Sequence, residues 1–481
     1  MNGISQRITV GVLWNLASLF LARGSTTLFT VFLAKLLAPE AFGLVAMAMV
    51  AFELANAFVT SGLGQALIRS KDVSGIDLNT VFYSNFVLSL VAYVALFIGA
   101  PFVAEFYNQP QLTGLLQVMG LVVLVNASKV VQIAVLSRQM NFKAQMQANT
   151  LGAVSSGILA IAVALSGWGV WSLVVMMLGQ ALVSAGTLWL ISKWRPGLEF
   201  SSQSFRRLFR FGRNLLAEGL LSVLYQNSYV LVIGRFFSAE VTGLYFFAKK
   251  VSNLVSQQLA AAVQQATFPA LATLQDDTDL LRHKYRRIMQ MTMFLMAPVM
   301  ALIAGLASSL FELLLDDSWS DAVLFLQLLC IVGFLYPAHM LNINLLNVKG
   351  RSDLVLKVGL LKKAVNVSLL FAAIPYGVIG IVFSQVLGSL IALIPNTYFT
   401  VRFINYSLKQ QLWDLLKPAV SATVAGYFSF LLSENNGDPS IVWLLLGACA
   451  GCFIYLLSSF LLRVDGAIIC MQRARLIIAR R

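Results

Sequence analysis

The chain has 481 residues, of which 59% are hydrophobic and only 11% charged, with a mean hydropathy of +0.81. So much apolar surface cannot be folded away in a water-soluble globule, and a membrane is the expected solvent. The net charge of +14 then reads as membrane topology and contact with anionic lipid, with no nucleic-acid partner called for.

Cutting the sequence where charge, Pro, Gly and Asn cluster predicts fourteen spans, at 9–36, 41–66, 79–104, 113–137, 148–166, 169–192, 214–234, 241–272, 289–314, 322–347, 355–374, 377–400, 418–433 and 441–462. Most reach the length of about 20 residues that crosses a hydrocarbon layer, and the thirteenth is the short one. The first stretch is too long for a cleavable signal and lacks a small-residue cleavage site, so an uncleaved anchor is expected.

Of the 34 Lys and Arg, 26 fall in the even-numbered connections, at the span edges beside them or in the two tails, whereas the odd connections and their edges hold only Lys35 and Arg235. By the positive-inside rule both termini are expected in the cytoplasm, as an even span count requires. Four cysteines lie in or beside spans; Cys449 and Cys452 form a C-x-x-C, read as small packing residues or a redox or metal pair.

The two exceptional cations mark a repeat. Residues 34–44 reappear two hundred positions later within 233–244, pairing Lys35 with Arg235, Glu40 with Glu240, Gly43 with Gly243 and Leu44 with Leu244. The expected layout is a six-span lobe over 1–192, an amphipathic linker over 193–213, and a second six-span lobe over 214–402 in the same orientation. Two further spans and a basic tail fill 403–481. In the linker Phe200, Phe205, Phe209 and Phe211 interleave with Arg206, Arg207, Arg210 and Arg213, the pattern of a helix lying on the inner surface.

Six cations remain inside spans: Arg23, Lys129, Lys249, Lys250, Lys362 and Lys363. A cation at the bilayer centre costs roughly 2.5–3.5 kcal/mol on insertion scales, so it persists where water, an acid or an anionic ligand receives it. In the eighth span Lys250, Asn253, Gln257 and Gln264 recur at helical spacing, with Lys249, Ser252 and Ser256 alongside. One broad polar face results, expected to line a hydrated cavity between the lobes. The second span answers with Glu53, Asn56 and Thr60. Arg23 either faces that cavity or pairs with Glu53, and Lys362 and Lys363 either face it or snorkel. Glu53 and Glu218, both within spans, are the candidates for an ion-coupling role. His339, with Asn342 and Asn344, lines the cavity or satisfies a helix junction. No Walker-type loop, dinucleotide fingerprint or metal-ligand cluster is present, so no cofactor and no metal are expected.

Several segments resemble a known family: Leu-Leu-Ala-Pro-Glu-Ala-Phe-Gly-Leu at 36–44, Gly-Leu-Gly-Gln-Ala-Leu-Ile at 62–68, Arg-Pro-Gly-Leu-Glu-Phe at 195–200, Phe-Pro-Ala-Leu-Ala-Thr-Leu-Gln-Asp-Asp at 268–277 and Leu-Gln-Leu-Leu-Cys-Ile-Val-Gly at 326–333. They are similar to the polysaccharide transporter family, and within it to Wzx-type flippases of the colanic acid exporter kind. The resemblance implies the fold of the multidrug/oligosaccharidyl-lipid/polysaccharide (MOP) superfamily, an all-α integral membrane protein with two six-helix lobes in a V, working by alternating access. It also implies a cargo, an oligosaccharide linked through diphosphate to a polyprenyl lipid and moved across a bacterial inner membrane. A polysaccharide polymerase and a chain-length regulator are the implied protein partners. Where relatives carry Gly-Glu-Lys-Trp this chain has Asp316-Asp317-Ser318-Trp319, so that turn is given no part in binding. Two other readings stand beside it: a cation-coupled drug antiporter of the same superfamily, which the lysines of the eighth span disfavour, and a membrane polymerase or ligase. The latter would need a large external loop and a paired catalytic constellation, neither of which is seen.

Overall fold

Apolar runs without a neighbouring strand to pair with can satisfy their backbone in lipid only as helices, and helices are what the chain forms. The computed structural model describes residues 21, 24–60, 62–434 and 440–478. In chain order these form α1 (Gly24–Leu36), α2 (Pro39–Thr60), α3 (Leu63–Arg69), α4 (Gly75–Tyr107), α5 (Leu112–Met119), α6 (Leu121–Arg138), α7 (Phe142–Leu165), α8 (Trp171–Ile191), α9 (Ser202–Phe236), α10 (Ala239–Ala272), α11 (Thr278–Gly305), α12 (Ala307–Leu314), α13 (Ala322–Val348), α14 (Ser352–Ala373), α15 (Gly377–Ile404), α16 (Leu408–Glu434), α17 (Ile441–Leu461) and α18 (Asp465–Ile478).

Among the described residues eleven helical stretches are long and apolar enough to cross a membrane. One of them, Ser352–Ile404, joins α14 and α15 through a 3-10 turn at Ile374–Tyr376. Counted separately, and with the short α1 and the long but polar α10, they account for the fourteen expected spans. Side-chain caps set several starts: Ser74 and Asp77 close a capping box on α4, and Asn141, Ser201, Asp277 and Ser440 cap α7, α9, α11 and α17.

Two expectations change. The thirteenth span is not short: α16 is 27 residues long because Leu408–Lys417, set aside as a polar connection, continues the helix and buries Gln411 and Asp414 among polar partners. Nor is the basic linker a separate surface helix, since from Ser202 it forms the opening turns of α9, which runs 35 residues without a break.

The chain gathers into two compact units, Met1–Phe246 and Phe247–Arg481. In the first, a core of Met47, Phe52, Leu112, Leu116, Met119 and Val123 joins α2, α5 and α6. The two turns paired by the sequence repeat meet here, where Gly43 of α2 lies against the Ala239 backbone and Gly243 of α10 against that of Pro39. In the second unit, Leu281, Tyr285, Met289 and Met293 of α11 pack with Leu335, Ala338, Leu341 and Leu345 of α13. Trp319, in the turn that departs from the family pattern, is fully buried against Phe247 and is a packing residue.

Candidate functional site

The polar face of α10 divides into strips with different surroundings. Ser252 and Ser256 are buried, with the Ser252 hydroxyl donating to the Leu329 carbonyl at 2.9 Å and that of Ser256 to the Ser252 carbonyl. Gly333 of α13 permits this approach, since a Cβ there would crowd Ser252 Oγ. Beside this seam Lys249, Asn253, Tyr336 and Gln385 line a cavity of about 20 Å³, room for a single water. Lys250 and Gln264 are half-buried and Gln257 is exposed. The structure therefore brings Lys249 and Asn253 together around one small cavity, while Gln257 and Gln264 lie one and three turns farther along the helix.

Lys362 and Lys363 lie ten and eleven residues into α14, roughly 15 Å from its start, and both are half-buried. His339 lies on α13. That imidazole is held between two α15 side chains, Ser389 Oγ at 3.0 Å from Nε2 and Asn396 Nδ2 at 2.9 Å from Nδ1. Arg23 lies outside the described residues.

In the first unit the face of α2 is met by amides. Asn227 of α9 donates to Glu53 Oε2 at 2.6 Å, and Asn126 of α6 donates to Asn56 Oδ1 at 2.9 Å. Glu218 is exposed and accepts from Ser222 at 2.8 Å.

A buried polar assembly gathers at Asn342, one of the residues given from sequence as a cavity lining or a helix junction, with partners that sequence reasoning did not name. Tyr285 and Thr400 both donate to Asn342 Oδ1, while Asn342 and Thr397 donate to Gln411 Oε1. One turn along α16, Asp414 accepts from Arg286 through both carboxylate oxygens, from Gln290 and from Tyr406, and Gln290 also donates to Asp465 of α18. Asp414 thus joins Glu53 and Glu218 as an acid inside a span, a correction that follows from where α16 begins. The signal was present as Gln411 and Asp414 three apart and Arg286 and Gln290 four apart, each pair on one helix face. Tyr406 sits in the connection before α16, after Asn405 turns the chain at φ 52°. Burial, reinforced by the Asp414 charge, holds its phenol above the ordinary range, so it stays a donor.

At the basic end of the first unit, Arg138 donates to the carbonyls of Leu67, Ser70 and Lys71 at the end of α3, and Arg207 of α9 pairs with Asp77 of α4. Both arginines border an open cleft of about 850 Å³.

Residues 32–324, more than half of the chain, match the family described as polysaccharide biosynthesis protein. The chain belongs to this family. Among its relatives, the lipopolysaccharide biosynthesis protein WzxC of Escherichia coli K12 is 25% identical, with 88% of this chain and 84% of WzxC covered. The succinoglycan biosynthesis transport protein ExoT of Rhizobium meliloti is 26% identical over 69% and 68% of the two chains. The teichuronic acid biosynthesis protein TuaB of Bacillus subtilis is 24% identical over 82% and 84%. Among solved structures, the lipid II flippase MurJ superposes with a TM-score of 0.77 at 13% identity, covering 94% of this chain and 99% of MurJ. A multidrug resistance MATE family transporter of the MOP superfamily gives 0.62 at 16% identity, covering 82% and 94%. At such identities the likeness is one of fold alone.

Proposed function

We propose that this polysaccharide biosynthesis protein is a flippase, carrying polyprenyl-diphosphate-linked oligosaccharides from the cytoplasmic to the outer leaflet of a bacterial inner membrane by alternating access. The observation that carries this reading is the pair of lysine dipeptides at mid-span, Lys249-Lys250 on α10 and Lys362-Lys363 on α14, in a family named for polysaccharide synthesis. Cations so placed suit a diphosphate, and Asn253, Gln257 and Gln264 offer amides to sugars. The names of ExoT, a transport protein, and of the flippase MurJ support transport rather than catalysis.

The basic ends, Arg138 with Lys143 and Arg206 through Arg213 in the first unit and Arg282 through Arg287 in the second, belong on the cytoplasmic side in this reading, with both termini. The matched turns support two six-span repeats followed by two added spans. A polymerase and a chain-length regulator are the partners the pathway would supply.

The test is a strain lacking its own flippase, complemented with the wild type or with K249Q/K250Q or K362Q/K363Q at equal protein level. Loss of surface polysaccharide together with build-up of lipid-linked repeat units supports the reading. Undiminished export by both double variants overturns the assignment of the lysines, and wild type that restores no polysaccharide overturns the function.

A further inference from the structure

The walls of the open cleft at the basic end of the first unit offer hydrogen-bond donors in excess of acceptors. The α3–α4 connection contributes Lys71 and Asp72, α6 contributes Arg138, and the first turns of α9 contribute Gln203, Ser204 and Arg207. Arg138 meets no carboxylate. Three of its five N–H donors go to the carbonyls of Leu67, Ser70 and Lys71, which fixes the guanidinium in place without neutralising it, and two donors remain. Arg207 is 58% exposed and spends one donor on Asp77. Lys71 is exposed and enters no ion pair among the described residues. On the acid side, Asp77 is already occupied, with one oxygen on Arg207 and the other on the backbone and hydroxyl of Ser74. Asp72 is the one exposed acid among the lining residues, so the cleft keeps a net positive charge. Cations with several uncommitted N–H groups, two of them held in fixed positions, suit an oxyanion with several acceptor oxygens, the chemistry of a phosphate.

The depth of the cleft narrows the source of that phosphate. The candidate spans Pro39–Arg69 and Leu112–Arg138 end at this level, Gly75–Tyr107 starts from it, and Gly212–Phe236 opens five residues after Arg207. The end of an apolar span marks the level of the lipid headgroups. Beside the cleft, the connection from α8 to α9 adds an apolar edge. Gly197 N donates to Asn79 Oδ1 at 3.0 Å and Ser201 N to Thr80 Oγ1 at 3.1 Å, while Leu198 and Phe200 between them stay 95% and 53% exposed. Large apolar side chains held outside the protein by a tied backbone cost free energy in water and are stable at the acyl boundary. A donor-rich wall next to an apolar edge meets the two needs of an amphiphile with an anionic head.

We propose that this cleft binds the phosphate headgroup of an anionic membrane lipid through Lys71, Arg138 and Arg207, with Gln203 and Ser204 as further donors. A phosphate held there joins the α3–α4 connection and α6 to the basic end of α9, a second tie on that end beside Asp77. Phosphatidylglycerol and a polyprenyl diphosphate share this chemistry, and the cleft, about 850 Å³, has room for the headgroup of either. The site rests on the span ends and not on which cargo is carried.

Full-length protein in detergent micelles is titrated with phosphatidylglycerol, with polyprenyl diphosphate and with zwitterionic phosphatidylcholine, and bound lipid is counted by native mass spectrometry. Wild type should retain at least one of the two anionic lipids over phosphatidylcholine. K71Q/R207Q should weaken that binding roughly tenfold to thirtyfold, and R351Q/K357Q, which removes two exposed cations from the second unit, should not. Arg138 is left in place because it also ties down the end of α3. In the wild type, bound lipid should slow acylation of Lys71 by an amine reagent severalfold, which locates the lipid without any substitution. A loss confined to phosphatidylglycerol in K71Q/R207Q names bulk lipid as the occupant, a loss confined to polyprenyl diphosphate names the cargo lipid, and either supports the site. Unchanged binding by K71Q/R207Q, or a Lys71 that lipid does not protect, overturns the proposal. An equal loss in R351Q/K357Q reduces the effect to overall charge and also overturns it. Inorganic phosphate that protects Lys71 at the same concentration as the lipids overturns the membrane source.

Discussion

Gly43 on α2 and Gly243 on α10 face each other backbone to backbone: a Cβ on the first would strike the Ala239 carbonyl, and one on the second the Pro39 carbonyl. Neither carbonyl is the end of a flexible side chain, so the crossing can open only by moving a helix. G43A and G243A should each lower stability by about 3 kcal/mol, at the upper end of overpacking costs, and reduce the amount of folded protein recovered in detergent. G99A in α4, where a Cβ meets nothing within 4 Å, is the control and should leave the melting temperature equal or slightly higher.

Asp414 is the centre of four hydrogen bonds from Arg286, Gln290 and Tyr406, with 2% of its side chain exposed. D414A strands those donors and should cost about 3 kcal/mol, read as a drop in thermal stability of the purified protein. Y406F removes one donor from a carboxylate that keeps three and should cost about 1 kcal/mol. A double-mutant cycle between R286A and D414A should give a large coupling energy, and strict additivity would show that the pair is not formed.

Arg207 and Asp77 form a bond of unequal value to its two ends. The arginine side chain is 58% exposed, whereas the aspartate side chain is 5% exposed and closes the capping box of α4. R207A should change stability by about 1 kcal/mol or less, with the effect shrinking in high salt. D77A should cost about 1–2 kcal/mol and be insensitive to salt, because it also uncaps the helix.

Glu53 receives its bond from Asn227 on a single oxygen. A glutamine can accept the same bond, so E53Q should stay within about 1 kcal/mol of the wild type. E53L removes that acceptor and leaves Asn227 Nδ2 only the Val223 carbonyl, and should cost about 1–3 kcal/mol. Equal stability of the two variants would mean that the bond contributes nothing.

What the residues revealed before the structure was known follows from which signals are local. Hydropathy and the alternation of basic connections are properties of short windows, and they sufficed for an all-helical membrane fold with its spans. The correspondence of Gly43 with Gly243 was also visible, because two copies of one turn can be compared letter by letter, but that the two glycines touch was not. Partner choice among buried amides was not. Asn227 and Asn126 carry no mark that sends one to Glu53 and the other to Asn56, and Asn396 gives no sign of reaching His339 fifty-seven positions away. Hydropathy also misled where a polar helix is stabilised by a neighbour: Gln411 and Asp414 look like a connection until Arg286, Tyr406 and Asn342 are placed around them.

The continuity of α9 has a mechanical consequence. Arg207 and Asn227 are twenty residues apart on one unbroken helix, about 30 Å along its axis and roughly 200° around it. Asp77 and Glu53 therefore grip the rod from nearly opposite sides at two depths. Rolling α9 about its own axis would have to rupture both grips at once, so the rod is pinned against rotation. Any displacement of its basic N-terminal end must travel along the helix as translation or tilt, carrying α2 and α4 with it.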